Sequence, residues 1–288
     1  KPMDAGKAAL AAKALGLDPK AVGATNLIAN INAGLDASSG RYAADDFSQS
    51  TAMLGLACTG NSVPAAASSA LKATQIQPDG GWGFGGSSDP DTTALAIQAL
   101  LAAGVPKTDA SVTKAITYLK TSQLADGGWG FAPDSNANST AYVVQALLAA
   151  GESIDIPVYI KQGASPTSYL LSQQNADGSF VGYNIPLATE QALPALAGRT
   201  FCNEAETAIT QMRPQTPAPS PTPTASATAT ARPSATATVR PSVTVEPGPP
   251  ATGTGGAANS SQPVLPAIGA LLVLMAGGTA ALAIRRSR

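Results

Sequence analysis

Long alanine-rich runs with apolar residues on nearly every face alternate along the first 212 residues with shorter, more polar runs that carry a single apolar stripe. "TTALAIQALLAAG" (92–104) matches "STAYVVQALLAAG" (139–151), and "STAMLGLACTG" (50–60) and "ATEQALPALAG" (188–198) are looser copies in which Thr51, Thr93, Thr140 and Thr189 fall in register. Helices apolar all round are buried all round. The runs between them, 24–33, 64–75, 108–123 and 162–174, read as outer helices. In "ASVTKAITYLKTSQ", Val112, Ala115, Ile116 and Leu119 share one face, with Lys114 and Lys120 off it. Gly104 and Gly151 stand where helices end on a left-handed residue. An opening inner-type helix, 3–16, precedes the four outer–inner pairs. Alternating buried and half-buried helices of this kind close into concentric layers. The expected fold is therefore all-α, an incomplete ring of helical hairpins over residues 1–212.

Between outer and inner helix lies a recurring turn. "QPDGGWGF" (77–84) returns as "LADGGWGF" (124–131), then as "NADGSF" with Asp177, with a worn copy, "SSGRYAADDF", at its head. Asp79 and Asp126 are 47 residues apart and Asp177 follows 51 later, a period of stacked supersecondary units. Asp-Gly-Gly permits a tight reversal because glycine accepts positive φ. The indoles of Trp82 and Trp129 are expected to act as apolar wedges between hairpins, with stacking on a ligand as the alternative.

Beyond Met212 the pattern changes. Residues 213–262 are Pro, Thr, Ala and Ser with no aromatic, a composition that cannot bury enough apolar area to offset its conformational entropy. This reads as a disordered spacer. Residues 264–284 then carry no charge and are followed by "RRSR". About 20 apolar residues cross a bilayer as a helix, and flanking arginines stay cytoplasmic. Residues 263–288 are thus expected to be a single-pass membrane anchor that leaves the helical body outside the cell membrane. "LPAIG" (265–269) resembles the sortase signal "LPxTG", with Ile268 in the threonine place, so plain membrane anchoring is expected. The first residue is Lys1 and no signal peptide follows it; an exported body implies an export signal upstream.

A net charge of −1 leaves no electrostatic footprint for nucleic acid. The chain has no histidine, which removes the commonest zinc ligand and the usual general base. No metal site and no cofactor are expected. Cys58 and Cys202 read as two buried free thiols, with one disulfide as the alternative.

"KAITYLKTSQLADGGW" (114–129) resembles the QW repeat of the prenyltransferase/squalene cyclase superfamily: Lys114-Ala115, Tyr118-Leu119, Gln123, Gly127-x-Trp129. Leu71, Gln75, Gly80 and Trp82 form one further copy, and Tyr169-Leu170, Gln174, Gly178 and Phe180 another. The resemblance implies the α/α toroid of terpenoid cyclases, prenyltransferase β subunits and cobalamin carriers, with these glutamines and aromatics as structural repeat residues. It looks most like bacterial surface-exposed members of the superfamily. The residues required by two of its members are missing. Protein prenyltransferases need an Asp/Cys/His zinc site, and thioester domains need Cys-Gly-Glu-Gln, whereas Cys58 is followed by Thr59-Gly60.

Residues 89–94, "DPDTTA", are similar to the "DxDDTA" of triterpene cyclases, with Thr92 for the last aspartate. On that resemblance Asp91 is the acid and Asp89 its neighbour. Read from the residues, Asp89-Pro90 is equally a helix cap and Asp91 a charge at the positive end of the helix. Cation chemistry also wants aromatic faces, and of the inner-helix positions only Tyr142 is squarely aromatic. The cobalamin-carrier resemblance implies a mouth lined by Gln49, Asp91 and Asn138, with Gln98 and Gln145 either reaching the cavity or bonding a neighbouring helix. The preferred reading is a non-catalytic, surface-displayed toroid for an apolar or corrinoid-type ligand or a protein partner. The alternative is an isoprenoid-processing enzyme using Asp91.

Overall fold

The computed structural model describes residues 1–203, which fall within one compact unit. Both the 213–262 spacer and the 264–284 span lie outside the described residues, and no helix among those described is long and apolar enough to cross a membrane. Nine α-helices occupy the described residues: α1 Pro2–Ala14, α2 Leu27–Ala33, α3 Asp46–Ala57, α4 Ala65–Ala73, α5 Pro90–Ala102, α6 Ala110–Ser122, α7 Ala137–Ala149, α8 Pro166–Ser172 and α9 Ile185–Leu196.

The odd-numbered helices are the inner layer. α1 packs on α3, α3 on α5, α5 on α7 and α7 on α9, and no comparable packing joins α9 back to α1. The inner row is therefore an arc. The even-numbered helices lie outside it and bury one stripe each; in α6 that stripe is Ser111, Val112, Ala115, Ile116 and Leu119. In α7, by contrast, every residue from Ala137 to Leu147 is buried. One of its faces joins the main core, through Tyr142, Val143, Ala146 and Leu147, and the other joins a smaller cluster with Leu170, Phe180, Ala188 and Ala192. Alanine makes this arrangement possible, since a small side chain lets two helix backbones approach closely on both sides. α5 and α7 end on Gly104 and Gly151 at φ +86° and +77°, and the following amide donates to the carbonyl five residues back, which closes the helix end.

Each QW turn is a hydrogen-bonded unit built by the same residues. Asp126 Oδ1 accepts from Gly128 N at 3.0 Å and Ser135 Oγ at 2.7 Å, and Asp79 does the same with Gly81 and Ser88. Gln123 Nε2 donates to Gly127 O at 2.9 Å within its own turn and to Tyr159 O at 2.8 Å in the next repeat. Gln75 likewise bridges Gly80 O and Ser111 O, both at 2.7 Å. The glutamine thus binds one repeat to its successor. Gly80 has φ +83°, and a Cβ there would stand 2.7 Å from Lys114 Cβ, so both conformation and space demand glycine.

Both tryptophans are wholly buried. Trp82 Nε1 donates to Leu71 O at 2.7 Å and Trp129 Nε1 to Leu119 O at 2.8 Å, the last turns of α4 and α6. Their own backbone N–H groups donate to Thr93 Oγ1 and Thr140 Oγ1, both at 2.9 Å, and Phe180 does so to Thr189. This explains the register of Thr93, Thr140 and Thr189: each fastens an inner helix to the turn that precedes it, whereas Thr51 donates within α3 to Phe47 O at 2.8 Å.

Two features depart from the sequence reading. The tryptophan turns continue into two-stranded antiparallel hairpins, β1 Gly83–Phe84 with β2 Ser87–Ser88 and β3 Gly130–Phe131 with β4 Asp134–Ser135, so these turns are not bare reversals. Moreover, Cys58 and Cys202 are joined in a disulfide across 144 positions, which corrects the expectation of two free thiols. The two residues looked remote because only the folding back of the segment after α9 brings Cys202 to the end of α3.

Candidate functional site at the start of α5

Asp89 is the N-cap of α5: its side chain accepts from Thr92 N at 2.8 Å and from Thr92 Oγ1 at 3.1 Å. It is 3% exposed, and its carboxyl is committed to the cap. Asn136 caps α7 in the same way, accepting from Ser139 N at 2.8 Å. Capping thus falls on Asp89, two residues before Asp91.

Asp91 has a different environment. Its Oδ1 is buried and has no hydrogen-bond partner. Burial is the main cause that pushes its carboxyl up to about 7, and the charge of Asp89 adds to it; the nearby Ser139 hydroxyl pulls weakly the other way without forming a well-aligned bond. Two carboxylates two residues apart thus sit in different environments: Asp89 accepts from the backbone and hydroxyl of Thr92, whereas Asp91 keeps its proton up to about pH 7. Tyr118 of α6 senses Asp89, Asp79 and Asp91, and its hydroxyl is pushed upward mainly by burial. The β3 strand touches both α5 and α7, which brings Phe131, 40% exposed, to that pair of helices.

The other predicted residues fall in two groups. Gln49 accepts from Tyr42 N at 2.7 Å and donates to Gly40 O and Ala67 O, both at 3.3 Å, so it ties α3 to its outer neighbours. Asn138 donates to Gln191 Oε1 at 2.6 Å and accepts from Tyr183 N at 3.0 Å, joining α7 to α9. Gln98 Oε1 accepts from Phe201 N at 3.4 Å, and its buried Nε2 has no partner. Gln145 Nε2 donates to Gln191 O at 3.3 Å, and its Oε1 is the unpartnered atom. Tyr142 stacks on Phe201 with ring centroids 6.0 Å apart. Sequence reasoning missed Phe47, in the first turn of inner helix α3, and Phe201, beyond the last repeat. Among the described residues, no group of three or more His, Cys, Asp or Glu side chains is placed to hold a metal ion.

The model of one protein family, the squalene-hopene cyclase C-terminal domain, matches residues 28–187, more than half of the chain. The chain belongs to this family. For a squalene-hopene cyclase C-terminal domain the arc of inner helices is the α/α toroid scaffold, and the QW turns are its repeat units. Among solved structures, the ent-copalyl diphosphate synthase from Streptomyces platensis is similar to this family member at 19% identity and a TM-score of 0.40, over 68% of this chain and 50% of that one. The chain spans about half the length of that structure. No curated protein matches it.

Proposed function

We propose that the domain protonates an alkene of an isoprenoid, with Asp91 as the general acid, in the manner of a terpenoid cyclase. One observation carries the reading: a buried carboxyl oxygen with no partner, which keeps its proton up to about pH 7 beside a second carboxyl that is committed to capping the helix. Protonating a carbon–carbon double bond needs a carboxylic acid that still has its proton near neutral pH and is not shared with a competing acceptor. The Asp89 carboxylate beside it raises the energy of the Asp91 anion. Membership of the family supports the same choice. The Asp91 proton goes to the alkene carbon and leaves a carbocation, which an aromatic face would stabilise.

The test is turnover. The purified chain incubated with squalene, and separately with an open-chain prenyl diphosphate, is expected to release cyclised product detectable by gas chromatography–mass spectrometry. Asp91→Asn should lose that product while keeping its helical circular dichroism. The same variant has a stability signature. Folded Asp91 binds its proton up to about pH 7, the unfolded side chain only to about 4, so parent stability falls as pH rises between those values and is flat above. Asp91→Asn should therefore gain on the parent between pH 4 and 7 and stay ahead above it. Product formation unaffected by Asp91→Asn would remove Asp91 from the chemistry.

A second reading, a non-catalytic display module for an apolar or corrinoid-type ligand or a protein partner, is favoured by one observation: the concave side of the arc is filled by Phe201. Either function is compatible with an extracytoplasmic body tethered through 213–262 to a membrane helix at 264–284. The uncharged run and its basic flank support that placement, as does a disulfide, which belongs to oxidising compartments.

A further inference from the structure

The inner arc contains a buried cation that forms no ion pair: Asp4 acts on it without reaching salt-bridge distance. Lys7 of α1 is 7% exposed, and among the described residues its ammonium takes part in no ion pair and no hydrogen bond. Its contact is the Phe47 ring, 6.0 Å to the centroid. Asp4, one turn earlier, is largely exposed and pairs with the chain's amino terminus at 3.3 Å. A buried ammonium charge is costly unless an anion or several acceptors meet it. Around Lys7 the lining is mostly apolar, with Phe47, Leu54, Leu95, Tyr142 and Phe201 beside Thr51, whose hydroxyl is engaged with Phe47 O at 2.8 Å. The remaining cavity is about 10 Å³, room for one water.

Phe201 is what fills this space. It stacks on Tyr142, and its N–H reaches Gln98, whose Nε2 is left buried without a partner. The residue beside it, Cys202, is bonded to Cys58 at the end of α3. A mostly apolar lining with an ammonium outside any ion pair, a neighbouring amide nitrogen without a partner, and an aromatic plug tethered covalently at one cleavable bond has the composition of an occupied binding site.

We propose that the hub of the helix arc binds an apolar chain ending in a single anionic group, with Lys7 as the counter-charge, and that the segment carrying Phe201 and Cys202 occupies this site until the Cys58–Cys202 bond is reduced. A dithiol supplies the two electrons and two protons: the S–S bond breaks, Cys58 and Cys202 become thiols, and the dithiol leaves as a disulfide. The inference goes beyond the acid chemistry of Asp91, uses other residues, and is read by binding without turnover, so either can fail alone.

The experiment is fluorescence titration of the full chain with cis-parinaric acid, a polyene carboxylate. The oxidised parent should bind weakly. Reduction by dithiothreitol should tighten binding about tenfold or more, and Phe201→Ala should do so with the disulfide intact. In the Phe201→Ala background, Lys7→Met should weaken binding about tenfold again and raise thermal stability, because a buried unpaired charge is removed. Displacement by dodecanoate or by dodecyl phosphate, but not by dodecanol, is expected, and the better of the two acids identifies the head group. Equal binding by oxidised parent and folded Phe201→Ala overturns the plug. Equal displacement by dodecanol, or no effect of Lys7→Met, overturns the counter-charge.

Discussion

Reducing the Cys58–Cys202 disulfide is expected to lower the stability of the helical body by about 4–5 kcal/mol, near the upper end of what one disulfide contributes. The bond closes a loop across 144 positions, and the entropy removed from the unfolded chain grows with loop length. A typical domain is stable by only about 5–15 kcal/mol, so this single cross-link decides a large part of the margin. It also acts locally. Cys202 is tied to the end of α3, and the neighbouring Phe201 ring is seated between α3, α5 and α7. Urea unfolding of the oxidised chain against Cys58→Ser/Cys202→Ser measures the difference. Equal midpoints would mean that the segment after α9 does not lie across the arc.

Truncating Trp129 should cost about 3–5 kcal/mol, the range for large aromatics removed from a closed core. Its ring is wholly buried and lies 6.5 Å from that of Tyr159, in the next repeat. Its N–H satisfies Leu119 O at the end of α6, which Trp129→Ala would leave buried without that donor. The two contributions can be separated. Trp129→Phe keeps a ring and loses the donor, and should cost about 1–2 kcal/mol. Phe180 already fills the equivalent place in the third turn, with its backbone bonded to Thr189 as Trp129 is to Thr140. Chemical denaturation of both variants measures the split. A loss below about 1 kcal/mol in Trp129→Ala would mean that the indole is not what joins the repeats.

The sequence was informative wherever a physical rule acts along one helix or one turn. Residues 92–104 and 139–151 are apolar on all faces because their helices have neighbours on both sides, and α5 and α7 begin only two residues before those runs. The Asp-Gly-Gly turns and the threonine register were visible for the same reason: their partners lie within one repeat. Hairpins of two residues a strand were not visible, since "GFGGSS" and "GFAPDS" carry no alternation long enough to read. The disulfide and the Phe201 plug depend on a segment that turns back across the arc, and no local pattern encodes that return. The amides show the limit most clearly. Gln49, Asn138, Gln98 and Gln145 look alike in sequence, yet the first two have both ends bonded and the last two keep an unpartnered atom. Asp89 and Asp91 differ likewise: a cap is legible from Asp-Pro, whereas the isolation of Asp91 depends on what surrounds it in space.

The protonation of Asp91 is the claim on which the proposed chemistry depends, and carboxyl ¹³C NMR of the intact chain reads it directly. The account predicts an inflection near pH 7 for Asp91, moving downward in Asp89→Asn as the neighbouring negative charge is removed. An inflection near pH 4, the value of an unperturbed aspartate, would contradict it.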